Sequence, residues 1–533
     1  MWAVLCCAVA ASLMAIAWSW QNDAVLNYGD ARAHMHIARR VFDCHQPRLS
    51  QLGSVWLPLP HILMLPFVQV YAWWANGIAG LIPTALAYIA SAVGIYKLAR
   101  RWMPPAAAAL ALGFFALNPN LLYLGTTAMT EPLFVCEMIW ISLWLVEWRE
   151  YLDTDAEKAR RLLYWIAASL IAAVFTRYDG WIMTFLAWCG IGLELLRRHR
   201  LGQKTFWLLS ALVVAAPIAW FVYNQAAFGD WLEFSRGPYS AKAIELRTMS
   251  HGDGPPHPGW HNMWVSLLFF VKTAEMDAVA AACGNLLFVL SIFASFGAWF
   301  LRRRHGIGWA LQLLWLPMPF YAYSVAYGSV PIFIPVWWPH SWYNTRYGME
   351  LLPAFALGVG FAAQFAIAAA REFKPQLERY AVAALSLLVA LNVAELVREH
   401  PLVYVESTKN IAAHRPYELS VPAALKTELA TRPGATILME TSVDAQIVAR
   451  TGISLKQTIN EADLQIWEDA LKAPAKAAPI VLAFDGDAVD KAVKAHPEGL
   501  TAVRRFTDKD QPAGTLYVSD GAFGAVSSTM ATR

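Results

Sequence analysis

Apolar residues in this chain gather into long runs separated by short polar turns, rather than alternating every second or every third to fourth position. Runs of roughly 20 residues match the length of a helix that crosses a bilayer. They fall at about 2–20, 78–98, 104–122, 133–148, 162–176, 180–196, 206–226, 280–300, 307–327, 348–370 and 380–397, eleven in all. In the first run Ala8, Ala10 and Ala11 lie inside the apolar stretch instead of after it, so it reads as an uncleaved signal anchor.

The turns carry charge on alternate sides. Lys97 to Arg101, Arg149 to Arg161, Arg197 to Lys204, Arg302 to Arg304 and Arg371 to Arg379 all fall on one side of an eleven-helix topology, which the positive-inside rule makes cytoplasmic. That count puts the amino terminus inside and everything after Arg398 outside. The expected organisation is a membrane domain over 1–397 and a soluble α/β domain over 398–533. In the latter, Ala435–Glu440, Pro479–Phe484 and Thr515–Ser519 read as strands, with helices starting at Asp444 and spanning Ala488–Ala495.

Three long loops open on the external side. The first, 21–77, holds a segment 31–42 that places Ala31, His34, Ile37, Ala38 and Val41 on one side of an interfacial helix. It also holds an apolar stretch from Leu57 to Trp74, broken by Pro58, Pro60 and Pro66, which suits a helix lying along or dipping into the surface. The second runs from 228 to 276 around His251-Gly-Asp-Gly-Pro-Pro-His257-Pro-Gly-Trp260, and the third, 328–345, is rich in aromatic residues.

With 57% hydrophobic and 15% charged residues, the composition excludes an ordinary water-soluble globule. A net charge of only +3, clustered between apolar runs, gives no nucleic-acid footprint. Of the six cysteines, Cys6, Cys7, Cys44, Cys136, Cys189 and Cys283, none lies in the C-terminal domain, and no disulfide framework or thiolate metal cage is expected.

Charged residues at the edge of a membrane are costly and mark candidate chemistry. Asp30 follows the first span and either caps the interfacial helix or acts chemically. Glu131, before Pro132, opens a span where the helix dipole favours an acid. Arg177 and Asp179 share the tightest external turn, and Arg346 stands at the mouth of a late span, placed to snorkel or to present its fork to a phosphate.

These residues sit in segments that resemble a known family. Tyr28-Gly-Asp30-Ala-Arg-Ala-His34, Trp56-Leu-Pro-Leu-Pro-His61, Thr130-Glu131-Pro132-Leu133, Thr176-Arg177-Tyr178-Asp179-Gly180 and Arg346-Tyr347 are similar to elements of the polytopic C-type (GT-C) glycosyltransferases that use polyprenyl-phosphate sugars. The branch resembled is that of protein O-mannosyltransferases and aminoarabinose lipid A transferases, and the likeness covers about 1–397. It implies a GT-C-like fold and direct, inverting transfer of a hexose or pentose to an extracytoplasmic protein, lipid or glycan. It implies Asp30 as the acceptor-side acid, with Glu131 and Asp179 as further carboxylates. Arg346 and Arg177 are implied at the donor phosphate. His34, His61, Tyr178, Tyr347 and His257 are candidate substrate contacts. Relatives often carry a second acid where Ala31 stands here, which leaves open a divalent metal on Asp30, Glu131 or Asp179. The setting implied is a cytoplasmic (inner) membrane. The competing reading is a transporter or flippase of lipid-linked or anionic substrates, although no internal repeat is visible and the charges gather at one side's loop junctions rather than at the midplane.

Overall fold

In the computed structural model the described residues are 1–249, 256–281, 284–302, 307–442, 444–509 and 511–521. Cys283, Arg303, Arg304 and residues 251–255 of the expected second loop lie outside them. Among the described residues every cysteine is free. Two compact units form: one of residues 1–25, 53–63 and 80–407, the other of residues 26–52, 64–79 and 408–533.

The first unit is helical. Seven stretches among the described residues are long and apolar enough to cross a membrane: Trp2–Gln21, Ile78–Arg100, Ala156–Thr176, Asp179–Arg197, Lys204–Phe228, Thr345–Phe373 and Leu377–Thr431. Shorter apolar helices include Pro105–Ala116, and the 21-residue helix Glu131–Tyr151 carries Glu137 in its buried interior. Hydrophobicity all round a helix does not say which side meets lipid, because lipid tails and protein core are equally apolar. The packing does. Within the Thr345–Phe373 stretch 72% of the apolar window is covered by protein, against 28% for Lys204–Phe228, so the former is the core helix and the latter a peripheral one.

The core helix Leu352–Phe373 packs on Gly284–Arg302, Pro105–Ala116 and Leu377–Arg398. A second group forms where Ala156–Thr176 meets Glu131–Tyr151, Asp179–Arg197 and Lys204–Phe228. Close approach needs small residues at the crossings. A Cβ on Gly358 would sit 2.2 Å from the Ser291 carbonyl oxygen, and one on Gly180 would sit 2.1 Å from that of Ala173.

The second unit contains a five-stranded sheet in the order β2-β1-β3-β5-β4. Strands β1 (Ile437–Met439), β2 (Thr458–Ile459) and β3 (Ile480–Phe484) are parallel, while β5 (Gly514–Ser519) runs antiparallel to β3 and to β4 (Leu500–Phe506). Every residue of central β3 is buried, whereas most of edge strand β4 is exposed. Leu438, Val481, Trp467 and Val489 belong to its core. The segment 31–42, expected to be helical, forms the helix Gly29–Arg40, starting two residues earlier than the hydrophobic pattern suggested, with Asp30 in its first turn. The proline-broken stretch forms helices Leu59–Val68 and Tyr71–Asn76, each too short to span a bilayer.

Replacing Gly358 with Ala is expected to cost about 1–3 kcal/mol through overpacking against backbone that cannot move aside. Gly297, where a Cβ meets nothing within 4 Å, is the control. Thermal denaturation in detergent should show Gly358→Ala melting lower than wild type and Gly297→Ala unchanged; equal melting would contradict the crossing described here.

Candidate active site

Helix starts supply the acids of the polar cluster in the first unit. Glu131 and Asp179 are each the first residue of their helices, Glu131–Tyr151 and Asp179–Arg197, where the amide ends favour negative charge. Arg177 follows Ala156–Thr176 in extended conformation, two residues before Asp179. Arg346, Tyr347 and Glu350 come from the short 3₁₀ helix Thr345–Leu351, which Asn344 enters with φ +56°.

Arg177 is the hub. Its Nη1 lies 3.2 Å from Glu131 Oε1, Nε 3.3 Å from Asp179 Oδ2 and Nη2 3.2 Å from Glu350 Oε1. It also donates to the hydroxyls of Thr130 at 2.7 Å and Tyr321 at 2.6 Å. Arg346 reaches the same oxygen of Glu131, again at 3.2 Å, and Glu406 Oε1 at 3.0 Å. Glu406 in turn accepts the backbone N–H groups of Asn344 and Thr345 and the Thr345 hydroxyl, and so holds the turn that carries Arg346. Tyr321 donates to Glu350 at 2.7 Å and stacks on Tyr347, whose ring has both guanidinium groups within 5.2 Å of its centroid.

Four carboxylates thus surround two guanidinium groups, all nearly excluded from water. Asp277 lies beside the same turn: a Cβ on Gly348 would come 2.5 Å from its Oδ2, and neither of its side-chain oxygens has a hydrogen-bond partner among the described residues. In a low-dielectric site such a set is stable only while the cations are present, because a buried carboxylate without a partner is costly.

The cluster joins Glu131, Arg177, Asp179, Arg346 and Tyr347. The other expected residues make different contacts. Tyr178 donates to the Val55 carbonyl at 2.9 Å and stacks on Phe234. His257 is buried with its Nε2 3.5 Å from Glu245, and burial lowers its pKa below the usual histidine value. His61 is fully buried in Leu59–Val68. Asp30 and His34 belong to the second unit, on Gly29–Arg40. Among the described residues no group of three or more His, Cys, Asp or Glu side chains is arranged to hold a metal ion. Glu131 and Asp179 are instead engaged by arginine, so no metal-dependent step is derived from them.

Sequence reasoning missed Tyr321, Glu350 and Glu406. Glu350 lies four residues after Arg346, and an acid opening an apolar run was a usable signal. Glu406 sits beyond residue 397, in a stretch that reads as soluble, although it belongs to the first unit.

The second unit buries its own charge network. Arg32 Nη1 pairs with Glu418, whose other oxygen meets Arg450 Nε at 3.1 Å, and it lies 3.8 Å from Asp444. Burial, with Glu418 repelling it, pushes the Asp444 carboxyl up to about 7 against the opposing pull of Arg32.

No family model matches the chain, and no curated protein does. Solved structures do. ArnT from Cupriavidus metallidurans bound to undecaprenyl phosphate is 13% identical, with a TM-score of 0.56 over 97% of this chain and 98% of that one. The apo state of the same protein gives 0.52 at 13% identity, covering 91% and 92%. The chain is a polytopic α-helical membrane protein of GT-C-like fold with a small C-terminal sheet.

Arg346→Gln is expected to lose roughly 3–5 kcal/mol, because it leaves Glu406 without its guanidinium and Glu131 with Arg177 alone. Adding Glu406→Gln should recover part of it, as read from thermal denaturation; no recovery would mean that Arg346 acts by packing alone. For Asp444 the folded-state pKa lies above the unfolded value of 3.8, so the folded unit holds a proton that the unfolded chain releases. Its contribution is full below 3.8 and is lost as pH rises through about 7. Asp444→Asn should therefore flatten the fall in melting temperature between about pH 4 and pH 7. An unchanged slope would exclude Asp444 as its source.

Proposed function

We propose that this protein is a membrane glycosyltransferase that moves a sugar from a polyprenyl-phosphate-linked donor to an extracytoplasmic acceptor by direct, inverting transfer. The observation that carries this reading is the full-length likeness in fold to ArnT, a protein captured with undecaprenyl phosphate. The proposed setting is a cytoplasmic membrane with the chemistry on the external side, as the basic turns suggest.

In this reading the Asp30 carboxylate accepts the proton of an acceptor hydroxyl while that oxygen attacks the anomeric carbon. The bond from that carbon to the phosphate oxygen breaks, and the electron pair leaves with the phosphate. Arg346 and Arg177 are the proposed partners of that phosphate. Glu131 Oε1 sits between the two guanidinium groups at 3.2 Å from each, the place an anion oxygen would take. Asp179 and Glu350 keep Arg177 in place. Lipid tails can stay in hydrocarbon while the headgroup reacts at the membrane edge.

The test is transfer of labelled sugar from a panel of polyprenyl-phosphate donors to an envelope extract, using purified protein in lipid. Removing a general base costs about 10²–10⁴ in rate, so a folded Asp30→Asn protein should lose at least a hundredfold. Arg346→Lys should raise the donor KM more than it lowers kcat, since an ammonium keeps the charge and loses the fork. Undiminished transfer by Asp30→Asn would remove Asp30 from the mechanism. Uptake of intact donor across vesicles without any transfer would overturn the enzyme assignment.

A further inference from the structure

Residues 26–52 and 64–79 fold with the C-terminal region as one unit, and hydrogen bonds tie the two together. Tyr71 donates its hydroxyl to the Ala449 and Ile453 carbonyls at 3.1 and 3.2 Å, and the Lys456 amide donates to Asp43 Oδ1 at 3.2 Å. The last turn of the helix Gly29–Arg40 is held from within these early segments, by Arg39 to the Val68 carbonyl and Arg40 to the Gln51 carbonyl. Its first turn, which carries Asp30, is tied to the C-terminal region instead.

Arg32 makes that tie. Its Nε donates to the Leu26 carbonyl at 2.6 Å, which closes the approach to the helix, and its Nη1 pairs with Glu418 on the helix Leu402–Thr431. The other oxygen of Glu418 meets Arg450 Nε at 3.1 Å, on the helix Gln446–Thr451. One carboxylate thus joins three elements. A Cβ on Gly29 would meet Asn410 Oδ1 at 3.5 Å, so the helix start also lies against Leu402–Thr431, about two turns before Glu418. Arg32 and Glu418 are both nearly excluded from water. Rotating Gly29–Arg40 away would leave Arg32 buried without its carboxylate and Glu418 with Arg450 alone, a cost that selects one rotation.

Residues two apart on a helix lie about 200° apart around its axis. With Arg32 turned into the buried network, Asp30 is turned toward the opposite side, and it is only half-buried there. A general base must lie within hydrogen-bond reach of the proton that it takes, and a misplacement of about 1 Å can cost about a hundredfold in rate.

We propose that the C-terminal region is a positioning element for the transfer: Glu418, through Arg32, sets the rotation of Gly29–Arg40 and so aims the Asp30 carboxylate at the acceptor hydroxyl. This role rests on the reading of Asp30 as the base. Arg32 and Glu418 are positioning residues that act only through it.

The experiment measures kcat and donor KM for the full chain in lipid, per folded molecule as counted by gel filtration. Glu418→Gln should lower kcat at least about tenfold through misplacement of the base. Its donor KM should stay at the wild-type value, because the proposed phosphate partners Arg346 and Arg177 belong to the first unit. Arg32→Lys, which keeps the charge and loses the fork, should lose kcat in the same way and serves as the second variant should Glu418→Gln fold poorly. Added to Asp30→Asn, Glu418→Gln should cause no further loss of the residual rate, since groups that act as one unit are not additive. Arg505→Gln, which breaks a pair with Asp485 elsewhere in the same unit, should keep the wild-type kcat. Wild-type kcat in folded Glu418→Gln and Arg32→Lys would reduce the network to scaffolding and overturn the proposal. A further loss in the Asp30→Asn background, or an equal loss in Arg505→Gln, would overturn it too. Undiminished transfer by Asp30→Asn alone is a separate result, which would remove Asp30 as the base and this positioning role with it.

Discussion

Two arginines hold four carboxylates inside an apolar helical unit, and the arrangement of that unit's polar ends follows from them. A carboxylate removed from water without a partner is too costly to tolerate, so the helix starts at Glu131 and Asp179 and the turn at Arg346 come together or the unit does not close. The two arginines do not act alike. Arg177 joins two helix starts and the Glu350 turn, while Arg346 joins Glu131 to Glu406 and so fixes its own turn. Tyr347 lies under both and excludes water from them.

Away from that cluster, packing is decided by how closely backbones approach. Lipid gives no hydrophobic reason for one helix to prefer another over its surroundings, so small residues at crossings carry the selection. Gly358 against Ser291 and Gly180 against Ala173 leave no room for a single carbon. The long peripheral helix Lys204–Phe228 has no such demand over most of its length, and large side chains such as Trp207 and Leu208 face outward. The second unit obeys the rules of water instead: a buried central strand, an exposed edge strand and a core of Leu438, Val481 and Trp467.

Much of this architecture was legible in the chain. Strands near 437–439, 480–484 and 514–519 and the helix Ala488–Ala495 follow from local pattern, because their burial is set by immediate neighbours in the sequence. Strand Leu500–Phe506 was not legible, since an edge strand with mostly exposed residues shows no clean alternation. Glu131, Arg177, Asp179 and Arg346 stood out because charge at a membrane edge is rare. Their partners Tyr321 and Glu406 did not, since a tyrosine in an apolar helix and a glutamate in a polar stretch look ordinary until the fold brings them close.

The sequence by itself therefore determined that the chain enters a membrane many times, that a sheet-containing region follows, and which residue types mark the costly positions. These are local quantities: run length, charge spacing and alternation. The tertiary structure alone decided which charges meet, that Arg177 and Arg346 share one oxygen of Glu131, and that residues 26–52 and 64–79 fold with the C-terminal region rather than with the spans. Pairings between residues far apart in the chain depend on helix crossings set by single glycines and close contacts, and those leave no periodic trace in the sequence.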